Sequence, residues 1–453
     1  LPLPGTTTAH FFDQEVEEAI RKYNIGGICF FQGSPQQQVS RINAYQQLAK
    51  TPLLVTIDGE WGLGMRMDSV QALPRPMMLG AVQNASLAFE YGKLVGQQCR
   101  RAGFQMNFAP VLDVNNNSKN PVINDRSFGE NKYRVSLLGI QYMKGLQDAG
   151  IMACAKHFPG HGDVDVDSHQ EMPLIPKSRS SLDSVELYPF RMAIGEGIEG
   201  VMTAHLSVPA IDSTAHRPAS VSYPVVSQLL QKELRFQGLT FTDALEMKGI
   251  TKYYTPAQIS LQAVLAGNDL LCLPAELPQS IALIRKAIRK HQLNWKDIDA
   301  RVLKILMAKY QAGLSRWKPL PLDHLTEELN EGIASLHRRI AERAITLLRQ
   351  DAPDLFPLPQ GKRIAYVGMG VDQENELARF MRQTYQAHVY YFPYSLSLEQ
   401  AQALQVFLRG QYDVVVFGVH HYSRRPAANY GLSAAALQLL QQVQQQQPTI
   451  TLA

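Results

Sequence analysis

Hydrophobic residues in this chain recur as short apolar runs separated by longer amphipathic segments. The runs have the length of β-strands, and the intervening segments, such as 13–23, 85–102 and 225–234, have the spacing of helices. The strand candidates are residues 27–31, 52–57, 104–108, 151–155, 200–203, 239–242 and 270–273. This alternation predicts an α/β fold with a parallel sheet, which could be a closed barrel or a doubly wound sheet.

The number of strand candidates bears on that choice. We count seven, whereas a (β/α)8 barrel needs eight, so the first strand either precedes Leu1 or is missing from an incomplete barrel. Polar residues follow most of the candidates, as expected where many strand ends converge on one site. We therefore expect a TIM-like (β/α)8 barrel, either complete or without its first strand, although periodicity alone leaves the doubly wound sheet open.

The hydrophobic pattern changes twice after residue 276. Segments 277–291, 297–313 and 325–348 have helical patterns, and a Pro-rich stretch follows at 351–360. Strand-like runs then return at 363–367, 414–417 and 449–452, with a helix at 397–408. We predict a barrel domain over 1–350, a linker over 351–360 and a second, partial α/β domain over 361–453.

Composition narrows the classes of function. The chain has 453 residues, 45% of them hydrophobic, and a net charge of only +4, so we expect no nucleic-acid partner. No apolar run reaches membrane-spanning length, so we expect no membrane span. The four cysteines show no CxxC spacing, which supports neither a zinc site nor a disulfide framework. The absent initiator Met and the second domain favour an exported, periplasmic or envelope protein over a cytoplasmic one; the oligomeric state stays open.

The densest group of chemically active side chains occupies residues 156–169, which read KHFPGHGDVDVDSH. It directly follows the apolar run 151–155, so it lies at the C-terminal end of a predicted strand. In α/β proteins this edge of the sheet carries the active site. Lysine is rarely buried without a purpose, so we expect Lys156 and His157 to be functional.

Further polar residues follow the other strand candidates. If the strands are neighbours in a barrel, these side chains point into one mouth. They are Asp58, Asp125, Arg126, His205, Asp243, Asn268 and Asp269. Asp243 ends a strand and has no helix to cap, so we expect a functional role for it.

Several of these residues also have a structural interpretation. Asp113 fits a turn cap, and Asn268 and Asp269 after Gly267 fit turn chemistry. Asp125 and Arg126 fit a local ion pair.

Two of the histidines have a similar alternative. His161 could serve only to hold its own loop, and His205 could be a buried, hydrogen-bonded residue that acts through its neighbours.

Two chemistries fit the cluster. Glycoside cleavage needs a carboxylate nucleophile, for which Asp243 is placed, and a proton donor, for which a histidine next to a carboxylate is suited. Asp167 and His169 are close enough to form such a pair. Metal-assisted hydrolysis is the second chemistry, because the loop offers many divalent-ion ligands: His157, His161, Asp163, Asp165, Asp167 and His169. No known ligand spacing is matched, however, and Lys156 would repel a cation.

The motif as a whole resembles the β-N-acetylglucosaminidase branch of glycoside hydrolase family 3. The segment 156–163 with Asp167-Ser168-His169 carries the resemblance most specifically. The resemblance extends over about residues 20–350, through segments that match in order: 26–30, 57–60, 107–114, 125–128, 202–205, 218–220 and 266–269.

The resemblance implies a retaining exo-glycosidase that hydrolyses terminal, non-reducing β-linked N-acetylglucosamine from muropeptide or chitooligosaccharide fragments. Asp243 would be the nucleophile, and His169 the acid/base with Asp167 as its partner. Residues that would bind the sugar are Asp58, Arg126, Lys156 and His157, with His205 as a further candidate. No cofactor or metal is implied, and the region after about 361 resembles a shortened α/β sandwich domain of the family.

The chain departs from the family pattern at two positions. Ala244 follows the proposed nucleophile where a second Asp is usual, and we expect activity to survive this change. Trp61 replaces a glycine in the turn after Asp58, which affects the shape of the sugar subsite. A metal-dependent hydrolase and a catalytically silent sugar-binding protein stay as alternatives, and phosphate could replace water as the acceptor.

Overall fold

The computed structural model describes residues 9–166, 171–358, 360–424 and 427–453. The chain divides into two compact units, Leu1–Ile345 and Thr346–Ala453. Within the predicted linker 351–360, the structure describes every residue except Pro359 and contains one 3-10 turn, Pro353–Leu355.

The first unit is built on a curved parallel sheet whose strands pair in chain order. The strands are β1 (Gly27–Phe30), β2 (Leu54–Ile57), β3 (Met106–Asn107), β4 (Met152–Phe158), β5 (Gly200–Thr203) and β6 (Leu239–Thr242). Strictly sequential, parallel pairing is the order of a TIM-like barrel, so the doubly wound alternative is wrong for this unit.

The seventh predicted strand is reduced to a single parallel bridge between Phe241 and Leu270. Leu273 has φ +49°, a left-handed conformation that ends an extended run. Asn268 and Asp269 are held by side-chain bonds, the first to the Ser220 carbonyl at 2.8 Å and the second to the Thr240 amide at 2.8 Å. These bonds favour a structural role for both residues, but they connect distant segments of the unit and not the turn after Gly267 as predicted.

Helices connect and follow the strands of the first unit. They are α1 (Ala9–Tyr23), α2 (Pro35–Leu48), α3 (Pro76–Ala81), α4 (Ser86–Ala102), α5 (Lys132–Asp148), α6 (Arg179–Ser184), α7 (Leu187–Gly195), α8 (Lys248–Thr251), α9 (Pro256–Ala266), α10 (Leu277–Arg289), α11 (Trp295–Gln311), α12 (Leu325–Asn330) and α13 (Ile333–Ala344). A π-helix covers Pro224–Glu233, and 3-10 turns cover Leu63–Met65, Asn124–Arg126, Ala219–Val221 and Leu314–Arg316. Among the described residues, no helix has the length and apolar character to span a membrane.

One predicted helix is wrong in its extent. The pattern over 325–348 predicted a single helix, but the structure has α12 and α13, with Gly332 between them at φ +77°. Glycine adopts this left-handed conformation without the penalty that a β-carbon imposes, so it interrupts the helix although the apolar spacing continues.

Helices α4 and α5 are in close contact because glycines line their interface. A β-carbon at Gly92 would overlap the Tyr142 carbonyl oxygen, and one at Gly145 would overlap the Phe89 carbonyl oxygen. The rings of Tyr91 and Tyr142 meet edge to face at 5.4 Å. The Tyr142 hydroxyl donates to the Glu60 carbonyl at 3.0 Å, which connects this helix pair to the turn after β2.

The second unit is a four-stranded parallel sheet with helices, as expected for a partial α/β domain. Its strands are β7 (Ile364–Met369), β8 (His388–Phe392), β9 (Val414–Val419) and β10 (Thr449–Leu452), in the spatial order β10-β9-β7-β8. Its helices are α14 (Glu376–Tyr385), α15 (Leu398–Leu408), α16 (Ala427–Tyr430) and α17 (Ala434–Gln446). The sequence analysis missed β8, a half-buried edge strand with the sequence HVYYF.

The α4–α5 contact predicts a strong effect of one added methyl group. Gly92→Ala should lower the free energy of unfolding by about 2 kcal/mol, because backbone must move to admit the β-carbon. Gly195→Ala is the matched control, since that helical position opens into empty space and alanine should be neutral or slightly stabilising there. Equal denaturation midpoints for the two variants in urea would contradict the close contact.

Candidate active site

The predicted site residues lie at one edge of the sheet, where the strands end. Asp58 directly follows β2, and Asp243 directly follows β6. Lys156 and His157 are among the last three residues of β4, and the register aligns Phe158 of this strand with Thr203 of β5. Because Thr203 is aligned in turn with Thr242, His157 and Asp243 are brought to the same end of the sheet.

The buried ammonium of Lys156 lies between two carboxylates. Its side chain is only 2% exposed, and its Nζ contacts the Asp58 carboxylate and lies 2.7 Å from Glu60 Oε1. Arg126 forms a bidentate ion pair with the Glu60 carboxylate, through Nε at 2.9 Å and Nη2 at 2.6 Å. Arg66 holds the other side of Asp58, through Nη2 to Oδ2 at 2.5 Å and Nε to the carbonyl oxygen at 2.9 Å. Three cations thus face two carboxylates, which leaves this group of side chains with a net positive charge.

Pairing keeps these groups charged despite their burial. Burial raises the pKa of the Glu60 carboxyl, but Arg126 and Lys156 outweigh it and hold that pKa well below its usual range. Burial lowers the pKa of Lys156, but Asp58 and Glu60 outweigh it, and the pKa lies above its ordinary value. Removing one partner would leave an uncompensated buried charge, which costs about 3–5 kcal/mol in measured cases.

Asp113 anchors the histidines of the motif. Its fully buried carboxylate accepts the His157 Nδ1–H at 2.7 Å, the His157 amide at 3.1 Å and the His161 amide at 2.7 Å. Burial raises the pKa of this carboxyl, but His157 and His161 lower it by more, so the pKa lies below its ordinary value. Asp113 is therefore more than a turn cap, since it fixes both the backbone and one ring of the motif.

The ring of His157 has a defined tautomer in this arrangement. Its Nε2 lies 3.3 Å from Arg126 Nη2, and a guanidinium can only donate. Nε2 therefore accepts, and the ring proton is on Nδ1, where Asp113 receives it.

His161 lies in the same buried group, with its ring centroid 5.8 Å from that of His157. Burial, and to a lesser extent the neighbouring His157 ring, lowers the pKa of His161 to about 4. Its backbone also anchors the motif, because its carbonyl oxygen accepts Asn120 Nδ2 at 2.8 Å. A role in holding its own loop is thus supported.

Asp243 carries an ionised carboxylate at the end of β6. Burial raises its pKa, but His205, His157, the Ala244 amide and Lys156 lower it more, and the pKa lies below its ordinary value. Its Oδ1 accepts the Ala244 amide at 2.8 Å, and its own amide donates to the Thr203 carbonyl at 2.9 Å. A half-buried, ionised carboxylate at the mouth of a barrel is suited to act as a nucleophile.

His205 is fully buried and connected to the chain next to Asp243. Its Nδ1 lies 2.7 Å from Ser220 Oγ, and its Nε2 donates to the Ala244 carbonyl at 2.9 Å. This geometry supports the alternative that His205 acts through its neighbours by positioning the peptide after Asp243. Its predicted contact with a sugar stays a prediction.

The pairing of Asp125 with Arg126 is wrong. Arg126 pairs with Glu60, whereas Asp125 lies 3.2 Å from Arg75. The Arg75 guanidinium lies in turn 3.9 Å from the ring centroid of Trp61, the residue that departs from the family's turn. Trp61 is thus held by an arginine that the ion pair orients.

The predicted acid/base residues Asp167 and His169 lie outside the described residues. Of the other acidic residues of the loop, Asp163 forms an ion pair with Lys177 at 2.6 Å and Asp165 is exposed. Within the described ranges, no group of three or more His, Cys, Asp or Glu side chains could hold a metal ion. Sequence reasoning missed Glu60 and Arg66 as parts of the site; the only signal for Glu60 was its place in the matched segment 57–60.

Comparison of the sequence with known proteins identifies a family and several relatives. The family described as glycosyl hydrolase family 3 N terminal domain matches residues 7–308. Beta-hexosaminidase A of Pseudoalteromonas piscicida is 32% identical over 396 residues, which cover 76% of this chain and 66% of that protein. A beta-hexosaminidase of Alkalilimnicola ehrlichii is 35% identical over 259 residues, or 55% of this chain and 73% of that protein.

A solved structure extends the similarity to nearly the full chain. It is a glycoside hydrolase family 3 beta-N-acetylglucosaminidase from Paenibacillus sp. str. FPU-7, with a TM-score of 0.76 and 32% identity. The match covers 96% of this chain and 85% of that one.

The buried His161 predicts a pH dependence of stability. Its pKa of about 4 in the folded protein lies below the value of 6.5 for a free imidazole, so the unfolded chain binds a proton that the folded one excludes. Stability from this group is complete above pH 6.5 and is lost as the pH falls to about 4, by roughly 3 kcal/mol. Urea unfolding between pH 4 and 7 should show a shallower loss in His161→Asn than in the wild type. The exposed His337→Asn variant should follow the wild type; identical slopes in all three proteins would contradict the burial of an uncharged His161.

Proposed function

The chain belongs to glycosyl hydrolase family 3, and from the geometry of its site we propose that it is a retaining exo-glycosidase that releases terminal β-linked N-acetylglucosamine. The observation that carries the proposal is the ionised carboxylate of Asp243 beside a rigid layer of buried donors. Relatives named beta-hexosaminidase and a structural neighbour named beta-N-acetylglucosaminidase support the choice of sugar. Chitooligosaccharide or muropeptide fragments are the proposed substrates.

In the proposed mechanism, Asp243 attacks the anomeric carbon and forms a covalent glycosyl-enzyme. The leaving oxygen takes a proton from His169, which then removes a proton from the water that releases the sugar. Arg126, Lys156 and His157, together with Asp58, are proposed to bind the hydroxyl groups of the terminal sugar. Their mutual ion pairs and hydrogen bonds fix these donors before the substrate arrives, so little reorganisation accompanies binding.

Three described histidines of the site support the choice of His169 as the acid. His157 has one ring nitrogen on Asp113 and the other accepting from Arg126. His161 has a pKa of about 4 because of burial, so it is uncharged near neutral pH. His205 directs its Nε2–H to a backbone carbonyl. None of these three is arranged to deliver a proton to a leaving group, which favours the segment that carries Asp167 and His169.

The proposal predicts a preference for one aryl glycoside. Release of nitrophenol should be faster from the β-N-acetylglucosaminide than from the β-glucoside, and EDTA should have no effect. Asp243→Asn should reduce turnover by at least about 10³-fold while the fold is retained, because the nucleophile is lost. Activity that disappears in EDTA would support the metal-dependent hydrolase, and binding of N-acetylglucosamine without cleavage would support the silent sugar-binding protein.

The assignment of the acid predicts a dependence on the leaving group. His169→Ala should lower kcat/KM for chitobiose by roughly 10²-fold or more, but that for a dinitrophenyl N-acetylglucosaminide much less, because only chitobiose needs a proton on the departing oxygen. His337→Ala removes an exposed histidine and should change neither value. Equal losses on both substrates in His169→Ala would rule out its role as the acid.

A further inference from the structure

A three-residue ion cluster lies beside the segment that carries Asp167 and His169. Lys177 Nζ is 2.6 Å from Asp163 Oδ2 and also contacts the Glu186 carboxylate. Asp163 precedes the segment and Lys177 follows it, so this ion pair joins the two chain stretches between which the segment runs. We call Asp163, Lys177 and Glu186 the stem clamp.

The stretch before the segment is fixed to the active-site network. Asn120 Nδ2 donates to the carbonyls of His161 and Gly162, at 2.8 and 3.0 Å. The His161 amide donates to Asp113, and a β-carbon at Gly162 would overlap the Val114 carbonyl. Asp163 therefore follows a backbone that is held by hydrogen bonds and by close packing.

The stretch after the segment is fixed to a different part of the barrel. The Ile175 amide donates to the Ser207 carbonyl at 2.9 Å, and the Ser207 amide donates to the Pro173 carbonyl at 2.9 Å. Ser207 follows β5 and lies two residues beyond His205. The two stretches thus rest on separate strands, and the Lys177–Asp163 pair connects them directly.

Glu186 supports the clamp from beneath the protein surface. Its side chain is 1% exposed, and its Oε1 receives both Lys177 and, at 3.2 Å, Asn116 Nδ2. Gly160 lies directly against it, since a β-carbon there would be 2.7 Å from Glu186 Cβ. One ammonium therefore serves two carboxylates, one of them buried, and the loss of Lys177 would leave both without their cation.

We propose that the stem clamp is a positioning device for proton transfer: by fixing the separation of residues 163 and 177, it sets where the acid/base pair Asp167–His169 acts. Lys177, Asp163 and Glu186 are positioning residues that do not touch substrate. The inference rests on the proposed glycosidase function. A misplacement of about 1 Å in a reacting group can cost about 10²-fold in rate, so a modest change in stem separation is enough to be measured.

The test compares Lys177→Met, which keeps an unbranched side chain one atom shorter and without charge, with Lys177→Arg, which keeps the charge. Lys177→Met should lower kcat/KM for chitobiose by about 10–100-fold and that for the dinitrophenyl glycoside by less than about 3-fold, because only proton delivery is misplaced. Lys177→Arg should recover most of the loss. The pH profile of Lys177→Met on chitobiose should change on its alkaline limb, where the acid must stay protonated.

Lys304→Met is the matched control. Lys304 also pairs with a buried carboxylate of the same unit, Asp269, at 2.7 Å. Its removal should lower stability and affect both substrates equally, as a purely structural change does. Equal losses on both substrates in Lys177→Met, or no loss in either, would overturn the proposal.

A second readout separates failure of the clamp from failure of the proposed function. Limited proteolysis should cut Lys177→Met within 163–177 faster than it cuts the wild type or Lys304→Met. If the wild-type protein cleaves no glycoside, this comparison still decides whether Lys177 holds the stems. Unchanged proteolysis would overturn the clamp whatever the enzyme's substrate.

Discussion

The burial of the Lys156 ammonium is the constraint on which the arrangement of the site depends. An ammonium that is 2% exposed is tolerable only with anionic partners in contact, and Asp58 and Glu60 supply them. Glu60 is itself buried and needs a second cation, which Arg126 provides from a turn 66 residues along the chain. Asp58 is balanced in the same way by Arg66. Each pairing therefore requires the next, and together they fix the ends of β2 and β4 relative to the turn that carries Arg126.

Hydrogen bonds to the backbone of the turn after β2 hold Asp58 and Glu60 in place. Asn107 at the end of β3 donates to the Gly59 carbonyl at 3.0 Å and accepts the Gly59 amide at 2.9 Å. Tyr142 of α5 donates to the Glu60 carbonyl, and its own position depends on the close approach of α4 and α5. The turn that presents Asp58 and Glu60 is thus held by a strand and a helix at once. A change in the packing of α4 against α5 would therefore shift this turn, even with every charged residue of the site retained.

Much of the sheet and of the charged edge follows from local sequence patterns, since an apolar run followed by a polar residue is visible without knowledge of the rest. Asp58, Lys156, His157 and Asp243 were predictable for this reason. The partners were not, because they depend on contacts between distant parts of the chain: Asp113 lies 44 residues from His157. The single helix over 325–348 failed for another reason. There, the left-handed backbone of Gly332 ended a pattern that hydrophobic spacing alone would continue.

The environment of His161 shows that a histidine buried beside His157 and Asp113 is unsuited to act as a general acid. Burial lowers the pKa of this imidazole to about 4, so a histidine in the same surroundings holds no proton to give at neutral pH. The buried group that holds the proposed sugar-binding donors is for the same reason unsuited to deliver protons. In the proposed mechanism the proton comes from His169 instead, and a neighbouring carboxylate raises the basicity of a histidine. In the stem-clamp proposal, the position of His169 is set by the two flanking stretches, which the Lys177–Asp163 ion pair joins.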